Sequence, residues 1–351
     1  MATARATAGR CLYRRSDFVI IRWVNGVLVV EDCNRLHSTR ASPELLELLG
    51  ALTAWTAAED LSGQVLDALG GASRVAELLT NLAALGLVWT TRDEPSPTRP
   101  QWDPLDLAIQ RRTATGGYRP AAVGRTGEPA PPAFNLRRRG QRIPLSRHVP
   151  VEGSVQDALD RRRSTRRYAS RSLLLDEVAA VLYHSARVQT VRYDTRVGEL
   201  VFRPYASAGA RSELEIYLVV NDVEEMEPGA YYYDARAHDL AAIRSRDTSH
   251  ERLNREVADA TGGALNREPP VILVVTAVFE RMFWKYANLG LSLIYKDVGC
   301  LIENLYLVAT CMGLAPCAVG GGNESQNALW LGCDPLKEAQ VGCFLLGPTG
   351  P

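Results

Sequence analysis

The sequence contains no long uninterrupted apolar stretch. Although 46% of its 351 residues are hydrophobic, the longest apolar stretches are interrupted by Arg22, Glu303 or Asn304. None of them reaches the roughly 20 residues that a membrane-spanning helix needs. The first residues, Met1 to Arg14, include arginines but no apolar signal core. We therefore expect neither a membrane protein nor a secreted one.

An excess of charge and paired metal ligands are absent as well. Lys+Arg and Asp+Glu both total 40, so the chain has no overall electrostatic attraction to nucleic acid or to an anionic membrane. The seven cysteines are scattered without a C-x-x-C pair, which favours reduced thiols in the cytoplasm over a disulfide framework or a zinc site. None of the five histidines pairs with another at ligand spacing, so a metal enzyme is not expected.

The length of the chain points to two domains. In the first, 11–92, β-rich runs at 18–23 and 27–30 flank Asn25-Gly26, a strong hairpin signal because both turn residues tolerate positive φ. Three helices and a closing strand are then predicted to start near Ser42, Thr56, Ser73 and Leu87. Thr56 opens a capping box, so the second helix is expected to run from there through Leu69. This order predicts a small winged-helix-like domain.

The remaining chain divides into a linker and a second domain. Residues 93–150 are rich in proline, include the basic run Arg137-Arg138-Arg139 and show no period, so we predict a partly mobile linker. Residues 151–351 mix helical and strand patterns, which predicts an α+β fold. Buried strands are expected at 213–220, 270–279 and 342–347. The stretch 297–312 is apolar almost all round, which predicts a helix that is central or buried in a subunit interface.

Four short segments of the second domain carry residues suited to chemistry. In the first, 162–168, Arg162, Arg163 and Arg166 surround Ser164. Guanidinium groups form bidentate contacts with phosphate and a serine adds a hydroxyl donor, so this segment suits a phosphate group. A solvated basic surface is an equally good interpretation of these residues.

The second segment, 203–211, lies immediately before a predicted strand. Its small residues would let a flat ligand approach the backbone, while Ser207 and Arg211 supply hydrogen-bond donors. A tight turn into the strand is the alternative, and for this segment alone it is the better interpretation.

The third segment is Trp284-Lys285-Tyr286. A lysine beside a tyrosine can lower the pKa of a phenol and keep it ready to exchange a proton. Adjacent side chains on an extended segment point to opposite sides, so Lys285 and Tyr286 need a turn or the start of a helix to act together. On its own, Lys-Tyr is an ordinary dipeptide.

The fourth segment, 313–323, contains Gly320-Gly321-Gly322. Glycines leave backbone N–H groups free to contact a ligand ring or an anion. The segment is not a dinucleotide fingerprint, because it lacks both G-x-G-x-x-G and a following helix pattern. A plain loop is an equally good interpretation.

In this order the four segments resemble the SagB-type, ThcOx-like azoline dehydrogenases, a branch of the flavin-dependent nitroreductases. The resemblance covers roughly 157–348 and implies a nitroreductase-like FMN-binding domain. Its most specific part begins at Lys285-Tyr286 and continues through Ser292-Leu293-Ile294, Lys296-Asp297-Val298-Gly299, Tyr306-Leu307-Val308-Ala309 and Met312 to Ala318.

The resemblance also implies roles for individual residues. The FMN phosphate would be bound in the arginine-rich segment, and the flavin would be approached by 206–209 and by the glycine loop. On this chain the cofactor contacts would fall on Arg162, Arg163, Ser164, Arg166, Ser207, Arg211, Val319, Gly320 and Gly321. Lys285 and Tyr286 match the catalytic pair of the azole-forming members, with Tyr286 as general base. An active site at the interface of a homodimer is implied as well.

The chain departs from the resembling family at four positions. Relatives often have proline where Ala206 stands and glycine where Ala208 stands. They usually have glutamate where Cys343 stands, and an aromatic residue at Leu291. These departures leave open altered flavin contacts, a changed substrate, or flavin binding without azoline turnover.

The first domain resembles the PqqD-type peptide-binding domains, in its element order and in Leu85-Gly86-Leu87-Val88. In such domains a leader peptide adds a strand to the edge of the hairpin's sheet and packs on a helix. A DNA-binding winged helix is the competing interpretation. However, the predicted third helix carries only Arg74 as a cation, which is too little for phosphate contacts.

The two resemblances together imply an FMN-dependent oxidoreductase that oxidises thiazoline or oxazoline rings to azoles in a ribosomally made peptide. The leader of this precursor peptide would bind the first domain, and a cyclodehydratase would be the partner enzyme. Two alternatives stay open. One is an NAD(P)H-dependent flavin reductase of the same fold acting on small molecules, which would not need the first domain. The other is a non-catalytic peptide-binding scaffold that has lost its flavin.

Overall fold

The computed structural model describes residues 10–91, 102–114, 129–134, 140–147, 149–286, 289–321 and 323–350. They belong to two compact units, which divide the chain after Gly117. Within the described stretches no helix is both long enough and apolar enough to cross a bilayer.

The first unit contains two antiparallel three-stranded sheets and short helices. Its elements are β1 (Leu12–Arg15), β2 (Val19–Val24), β3 (Val27–Asp32), β4 (His37–Arg40), α1 (Pro43–Ala51), β5 (Thr56–Ala57), a 3₁₀ turn (Ala58–Asp60), α2 (Gly63–Ala68), α3 (Ala72–Leu85), β6 (Val88–Thr90) and α4 (Pro104–Ala114). The strand orders are β5-β1-β6 and β2-β3-β4. The core between the helices contains Leu48, Leu52, Leu79 and Leu87, all with no exposed surface.

Local sequence signals place several of these elements correctly. Asn25 and Gly26 have φ of 49° and 78° and connect β2 to β3, as the hairpin signal predicts. The Ser42 hydroxyl accepts a hydrogen bond from Leu45 N at 3.2 Å and caps α1. Gly86, with φ of 83°, ends α3 in the left-handed conformation. Each of these predictions is confirmed because it depends on atoms within a few residues of each other.

The helix predicted from Thr56 is wrong over its first part. Thr56 and Ala57 form β5, which pairs with β1 through Tyr13 opposite Thr56. The helix α2 begins only after Ser62, whose hydroxyl accepts a hydrogen bond from Val65 N at 3.4 Å. The capping box at Thr56 was misleading, because the pairing of this residue with β1, a strand much earlier in the chain, leaves no signal in the neighbouring sequence.

The segment 93–150, predicted to be an irregular linker, contains regular structure. Residues Pro104–Ala114 form α4, which buries Leu107 and Ala108 beside Phe18 and Ile20 within the first unit. The strand β7 (Arg142–Pro144) belongs to the second unit. The buried apolar face of α4 has two residues and β7 has three, so neither element is long enough to show a recognisable period of hydrophobic residues. The basic run at 137–139 lies outside the described residues.

The second unit is built around a seven-stranded antiparallel sheet in the order β14-β15-β13-β10-β11-β12-β7. Its further elements are α5 (Val155–Arg161), α6 (Leu175–Ala186), β8 (Thr190–Asp194), β9 (Gly198–Phe202), β10 (Leu214–Val220), β11 (Gly229–Asp234), β12 (Asp239–Ser245), α7 (Thr248–Ala260), β13 (Val271–Val278), α8 (Phe279–Tyr286), α9 (Gly290–Cys311), β14 (Leu314–Val319), α10 (Glu324–Trp330) and β15 (Glu338–Pro348). The three predicted buried strands correspond to β10, β13 and β15. The strands β8 and β9 form a separate two-stranded sheet.

Helices cover both faces of the large sheet. On one face α6 and α9 pack against side chains such as Leu218 and Phe344, and on the other α7 and α10 pack against side chains such as Tyr217 and Val219. Because the central strands are covered on both sides, β10 and β13 are apolar along most of their length, interrupted only by Glu215 and Thr276. Only one face of α9 is buried within the chain, since Tyr295 on the other side is 53% exposed. Side chains of α9 contact two of the predicted site segments, 162–168 and 203–211.

Candidate functional site

The arginine-rich segment runs beside β14 and is joined to it by Tyr306 of α9. Thr165 N donates a hydrogen bond to Pro316 O at 2.7 Å. The Tyr306 hydroxyl lies 2.7 Å from the Ser164 hydroxyl and accepts a hydrogen bond from Ala318 N, also at 2.7 Å. The structure therefore brings the first and fourth predicted segments together. We call Ser164, Tyr306 and Ala318 with their arginines the Tyr306 cluster.

The arginines of this cluster differ in how they are held. The Arg162 guanidinium lies 5.2 Å from the centre of the Tyr306 ring. Arg163 is exposed and bends back to donate to Asp160 O and Arg162 O at 3.3 and 2.8 Å. The Nε of Arg166 is buried and has no hydrogen-bond partner among the described residues. A buried cationic donor without a partner, in the same segment as the exposed residue Ser164, suits an anionic group.

The predicted glycine loop follows directly at the end of β14. Val319 is buried, whereas Gly320 and Gly321 are exposed. A Cβ at Gly320 would have no described atom within 4 Å, so the backbone there is open to a ligand. Gly322 lies outside the described residues.

The second predicted segment forms a tight turn in an unusual conformation. Gly209, Ala210 and Ser212 have φ of 61°, 55° and 53°. The left-handed conformation costs roughly 1–2 kcal/mol for a residue other than glycine, so other contacts must hold this turn. Two buried arginines do so: Arg281 donates to Ser212 O at 2.7 Å, and Arg203 donates to the Ser212 hydroxyl at 2.9 Å.

Lys285 and Tyr286 lie in the last turn of α8 and converge on this turn. The Lys285 ammonium is 5.2 Å from the centre of the Tyr286 ring. A Cβ at Gly209 would overlap the Tyr286 hydroxyl and would lie 2.5 Å from Lys285 Nζ. The second and third predicted segments are thus in direct contact, since both side chains of the Lys-Tyr pair reach Gly209. We call Gly209, Lys285 and Tyr286 the Lys-Tyr cluster.

The surroundings of Lys285 act on the pKa of its ammonium group. Burial lowers the pKa of the Lys285 ammonium, the positive charge of Arg211 lowers it further, and Asp194 partly opposes both. A lysine of lowered pKa next to a tyrosine suits proton exchange in a half-buried site.

Arg211, predicted to contact the cofactor, has a bracing role in the structure. Its side chain is fully buried, and the guanidinium lies 5.2 Å from the centre of the Trp284 ring. It donates to the backbone carbonyls of Pro131, Val197, Glu199 and Arg281 at 2.6–3.4 Å. With its donors used in this way, Arg211 holds the β8–β9 turn and residues 129–134 beside the Lys-Tyr cluster.

Ser207 and Ala208 are also bound within the protein, each by an acidic side chain that the sequence did not single out. Its hydroxyl donates to Glu213 at 3.0 Å and accepts from Ser212 N at 3.3 Å. Ala208 N donates to Asp297 of α9 at 2.6 Å. Burial raises the pKa of both carboxyl groups, and the pKa of Glu213 reaches about 8 with a further contribution from Asp297.

Tyr306 and Asp297, which connect these clusters to α9, were both missed as site residues. Both lie in the stretches of α9 that resemble the known family, but nothing in the sequence shows which atoms they contact. At about 1.5 Å and 100° per residue, the two side chains are separated by about 14 Å along the helix and by about half a turn around it. Tyr306 and Asp297 therefore lie at opposite edges of the buried face of α9.

Comparison with known proteins places the chain in a family. The nitroreductase family model matches residues 159–347. The protein MJ1384 of Methanocaldococcus jannaschii, which carries a nitroreductase name, is 32% identical over 193 residues, or 54% of this chain and 91% of its own length. A solved structure from Anabaena variabilis, also named as a nitroreductase, has a TM-score of 0.50 at 21% identity and covers 68% of this chain and 45% of that one.

Two further relatives are named for peptide processing. The trifolitoxin-processing protein TfxB of Rhizobium leguminosarum is 30% identical over 50% of this chain. The microcin B17-processing protein McbC of Escherichia coli is 27% identical over 40% of this chain. The chain spans about half the length of each, 47% of TfxB and 52% of McbC. The match of the family model over more than half of the chain, together with MJ1384, shows that this protein belongs to the nitroreductase family.

Proposed function

We propose that the protein is an FMN-dependent dehydrogenase that oxidises azoline rings to azoles in a ribosomally synthesised peptide. The observation that carries the proposal is the contact of Lys285 and Tyr286, the proposed proton-exchanging pair, with Gly209 in a turn of small residues. Similarity to proteins named for trifolitoxin and microcin processing supports a peptide as the substrate.

The residues of the Tyr306 cluster fit an FMN phosphate. The partnerless buried Nε of Arg166 is a donor available to an anion, and Ser164 is an exposed residue of the same segment. Arg162 adds positive charge, and the backbone at Gly320 and Gly321 offers an open surface. We assign the phosphate to Arg162, Ser164 and Arg166, with Arg163 at the exposed rim.

The chemistry divides between cofactor and protein. When bound, FMN supplies a two-electron acceptor for a hydride. Tyr286 takes the proton from the neighbouring ring carbon, so the ring loses one hydride and one proton and becomes aromatic. Lys285 stabilises the phenolate by its charge or contacts the substrate. Dioxygen is the final electron acceptor and is reduced to hydrogen peroxide.

The separation of the two α9 residues that contact the candidate site segments favours a homodimer. Within one chain Tyr306, which contacts Ser164, and Asp297, which contacts Ala208, lie at opposite edges of the buried face of α9, about 14 Å apart along it. A second copy could bring its Lys-Tyr cluster beside the Tyr306 cluster of the first, so that Ser207 and Gly209 of one protomer approach the flavin of its partner. A monomer with bound FMN in sizing experiments would contradict this arrangement.

The first unit offers a place for a leader peptide. The strand β2 lies at the edge of its sheet, with Ile21 and Trp23 53% and 70% exposed. An added peptide strand would satisfy free backbone groups at such an edge and cover apolar side chains. We propose that this PqqD-like unit binds the leader of the precursor peptide and that a cyclodehydratase supplies the azoline.

The first experiment is an absorption spectrum of the purified protein before and after adding FMN and removing the excess. Flavin bands would support the cofactor assignment, and oxidation of an azoline-containing peptide, followed by mass spectrometry for a loss of two hydrogens, would test the activity. A flat spectrum after reconstitution would refute the proposal and favour the non-catalytic peptide-binding scaffold.

The relationship to MJ1384 supports one rival function, an NAD(P)H-dependent reductase acting on small molecules. Such an enzyme would be reduced rapidly by NADPH without any peptide. Stopped-flow bleaching of bound flavin by NADPH, compared with bleaching by an azoline peptide, separates the two functions. Faster bleaching by NADPH would favour the reductase.

A further inference from the structure

A pair of carboxyl groups lies behind the turn that contacts Lys285 and Tyr286. Glu213 is fully buried and Asp297 is 6% exposed. Each carboxyl group holds one residue of the turn, because Glu213 accepts from the Ser207 hydroxyl at 3.0 Å and Asp297 accepts from Ala208 N at 2.6 Å. Gly209, the next residue, is the one that meets the Lys-Tyr cluster.

The hydrogen bonds of this carboxyl pair require one proton between the two groups. Glu213 Oε2 has its donor, but Oε1 is buried and has no donor among the described residues. The Asp297 carboxyl lies within hydrogen-bonding reach of Glu213. Two ionised carboxylates in contact would repel each other and leave Oε1 without a donor. One proton held between the two groups removes both difficulties.

The surrounding charges do not neutralise two carboxylates. Desolvation by burial is the largest cause that raises the pKa of Glu213, the Asp297 charge adds to it, and the Ser207 hydrogen bond opposes it. For Asp297 burial again raises the pKa, opposed by the Ala208 N–H, by the hydrogen bond with Glu213 and by the charge of Lys296. Among the described residues, Tyr205 and Arg211 also interact with the pair, and Arg203 and Glu215 act on Tyr205. Arg211 is itself committed to four backbone carbonyls.

We infer that Glu213 and Asp297 are positioning residues that share one proton and hold the Ser207–Gly209 turn against Lys285 and Tyr286. The contribution of these residues to catalysis rests on the proposed function, whereas the sharing of a proton is independent of it. Loss of the proton would place two negative charges in contact and push apart the residues that anchor Ser207 and Ala208. Gly209 would then shift relative to Tyr286, and a displacement of about 1 Å can reduce a rate about 100-fold.

The pH dependence has a definite sign. The folded state holds the proton more tightly than the unfolded chain, because the pKa of Glu213 is raised from 4.5 to about 8. The stabilising neutral form is therefore fully present at low pH, and its contribution is lost as pH rises toward 8. Activity is expected to fall on the alkaline side as the turn loses this anchor.

Infrared spectroscopy of the full chain tests the shared proton without any need for activity. At pH 6.5 the protein should show a protonated carboxyl C=O band that shifts in D₂O and disappears with a midpoint near pH 8. The variant Glu213→Gln should lack this band, whereas Glu224→Gln, which alters an exposed carboxylate, should retain it. Absence of the band from the unmodified protein, or its persistence in both Glu213→Gln and Asp297→Asn, would overturn the inference.

The positioning role is tested by rescue. The amide of Glu213→Gln stays neutral and can donate to Asp297, so this variant should remain within about threefold of normal activity and lose the alkaline decline near pH 8. Glu213→Ala removes the anchor and should lose about 100-fold. An alkaline decline that is unchanged in Glu213→Gln would refute positioning. If azoline oxidation is not found at all, the proposed function fails while the infrared result still decides the shared proton.

Discussion

The two clusters along α9 hold their polar groups in opposite ways. In the Tyr306 cluster Ser164 is exposed and the buried Arg166 Nε has no partner among the described residues. In the Lys-Tyr cluster the neighbouring Arg211 and Ser207 are already bound to protein groups. The Tyr306 cluster keeps hydrogen-bond donors available for a ligand. In the Lys-Tyr cluster the neighbouring donors instead hold an unfavourable backbone conformation.

This difference separates binding from positioning. Variants of the Tyr306 cluster should change the affinity for FMN with little effect on the bound reaction. Variants of the Lys-Tyr cluster should change the rate of reaction and leave FMN affinity nearly unchanged.

The largest effect is expected for Tyr286→Phe. Loss of the general base should lower kcat for azoline oxidation by about 10²- to 10⁴-fold, with FMN still bound. Tyr295→Phe, which alters an exposed tyrosine of α9, should leave kcat unchanged. Single-turnover oxidation followed by flavin absorbance measures both. Full activity in Tyr286→Phe would refute the assignment of the base.

Next in size is Gly209→Ala. The new Cβ would overlap the Tyr286 hydroxyl and would also require φ of 61° from an alanine, so we expect about a 100-fold loss of kcat. Gly262→Ala is a matched control, because Gly262 has a similar φ of 65° but no atom within 4 Å of its Cβ position. Equal losses in the two variants would show that backbone strain, and not the contact with Tyr286, is responsible.

A smaller effect is expected for Arg166→Ala, and it should fall on binding. Removal of a charge-assisted contact should raise the Kd for FMN by about 10- to 150-fold, while kcat at saturating FMN stays near normal. Arg163→Ala, in the same segment but exposed and bent back on its own backbone, should change the Kd much less. Fluorescence titration of FMN measures both. An Arg163 effect as large as that of Arg166 would contradict the assignment.

The smallest effect is expected for Tyr306→Phe. Loss of the contacts to Ser164 and Ala318 should cost about 1 kcal/mol of FMN binding free energy, roughly fivefold in Kd. Because Tyr306 acts through Ser164, the same substitution in a Ser164→Ala background should have less effect. Fully additive effects would show that Tyr306 acts independently of Ser164.

Sequence reasoning was most successful where interactions are local. The Asn25-Gly26 turn, the Ser42 cap and the apolar strands β10, β13 and β15 were predicted from neighbouring residues. It failed at Thr56, whose partner Tyr13 lies in a distant strand, and over 93–150, where α4 and β7 are too short to show a period.

For the site, residue types were predictable and contacts were not. The sequence identified Ser164, Lys285 and Tyr286 as suited to their chemistry. It did not identify Tyr306 or Glu213, because a tyrosine in an apolar helix and a glutamate before a strand are ordinary until their partners are known. It assigned Arg211 to the cofactor, although the fold surrounds that guanidinium with backbone carbonyls.

The sequence by itself determined the family, the α+β class and the chemical types available for a flavin site, because these follow from local patterns and motif order. Only the tertiary structure decided which arginines remain available and which carboxyl groups share a proton. Those properties depend on desolvation and on contacts between residues far apart in the chain, such as Glu213 with Asp297 and Gly209 with Tyr286.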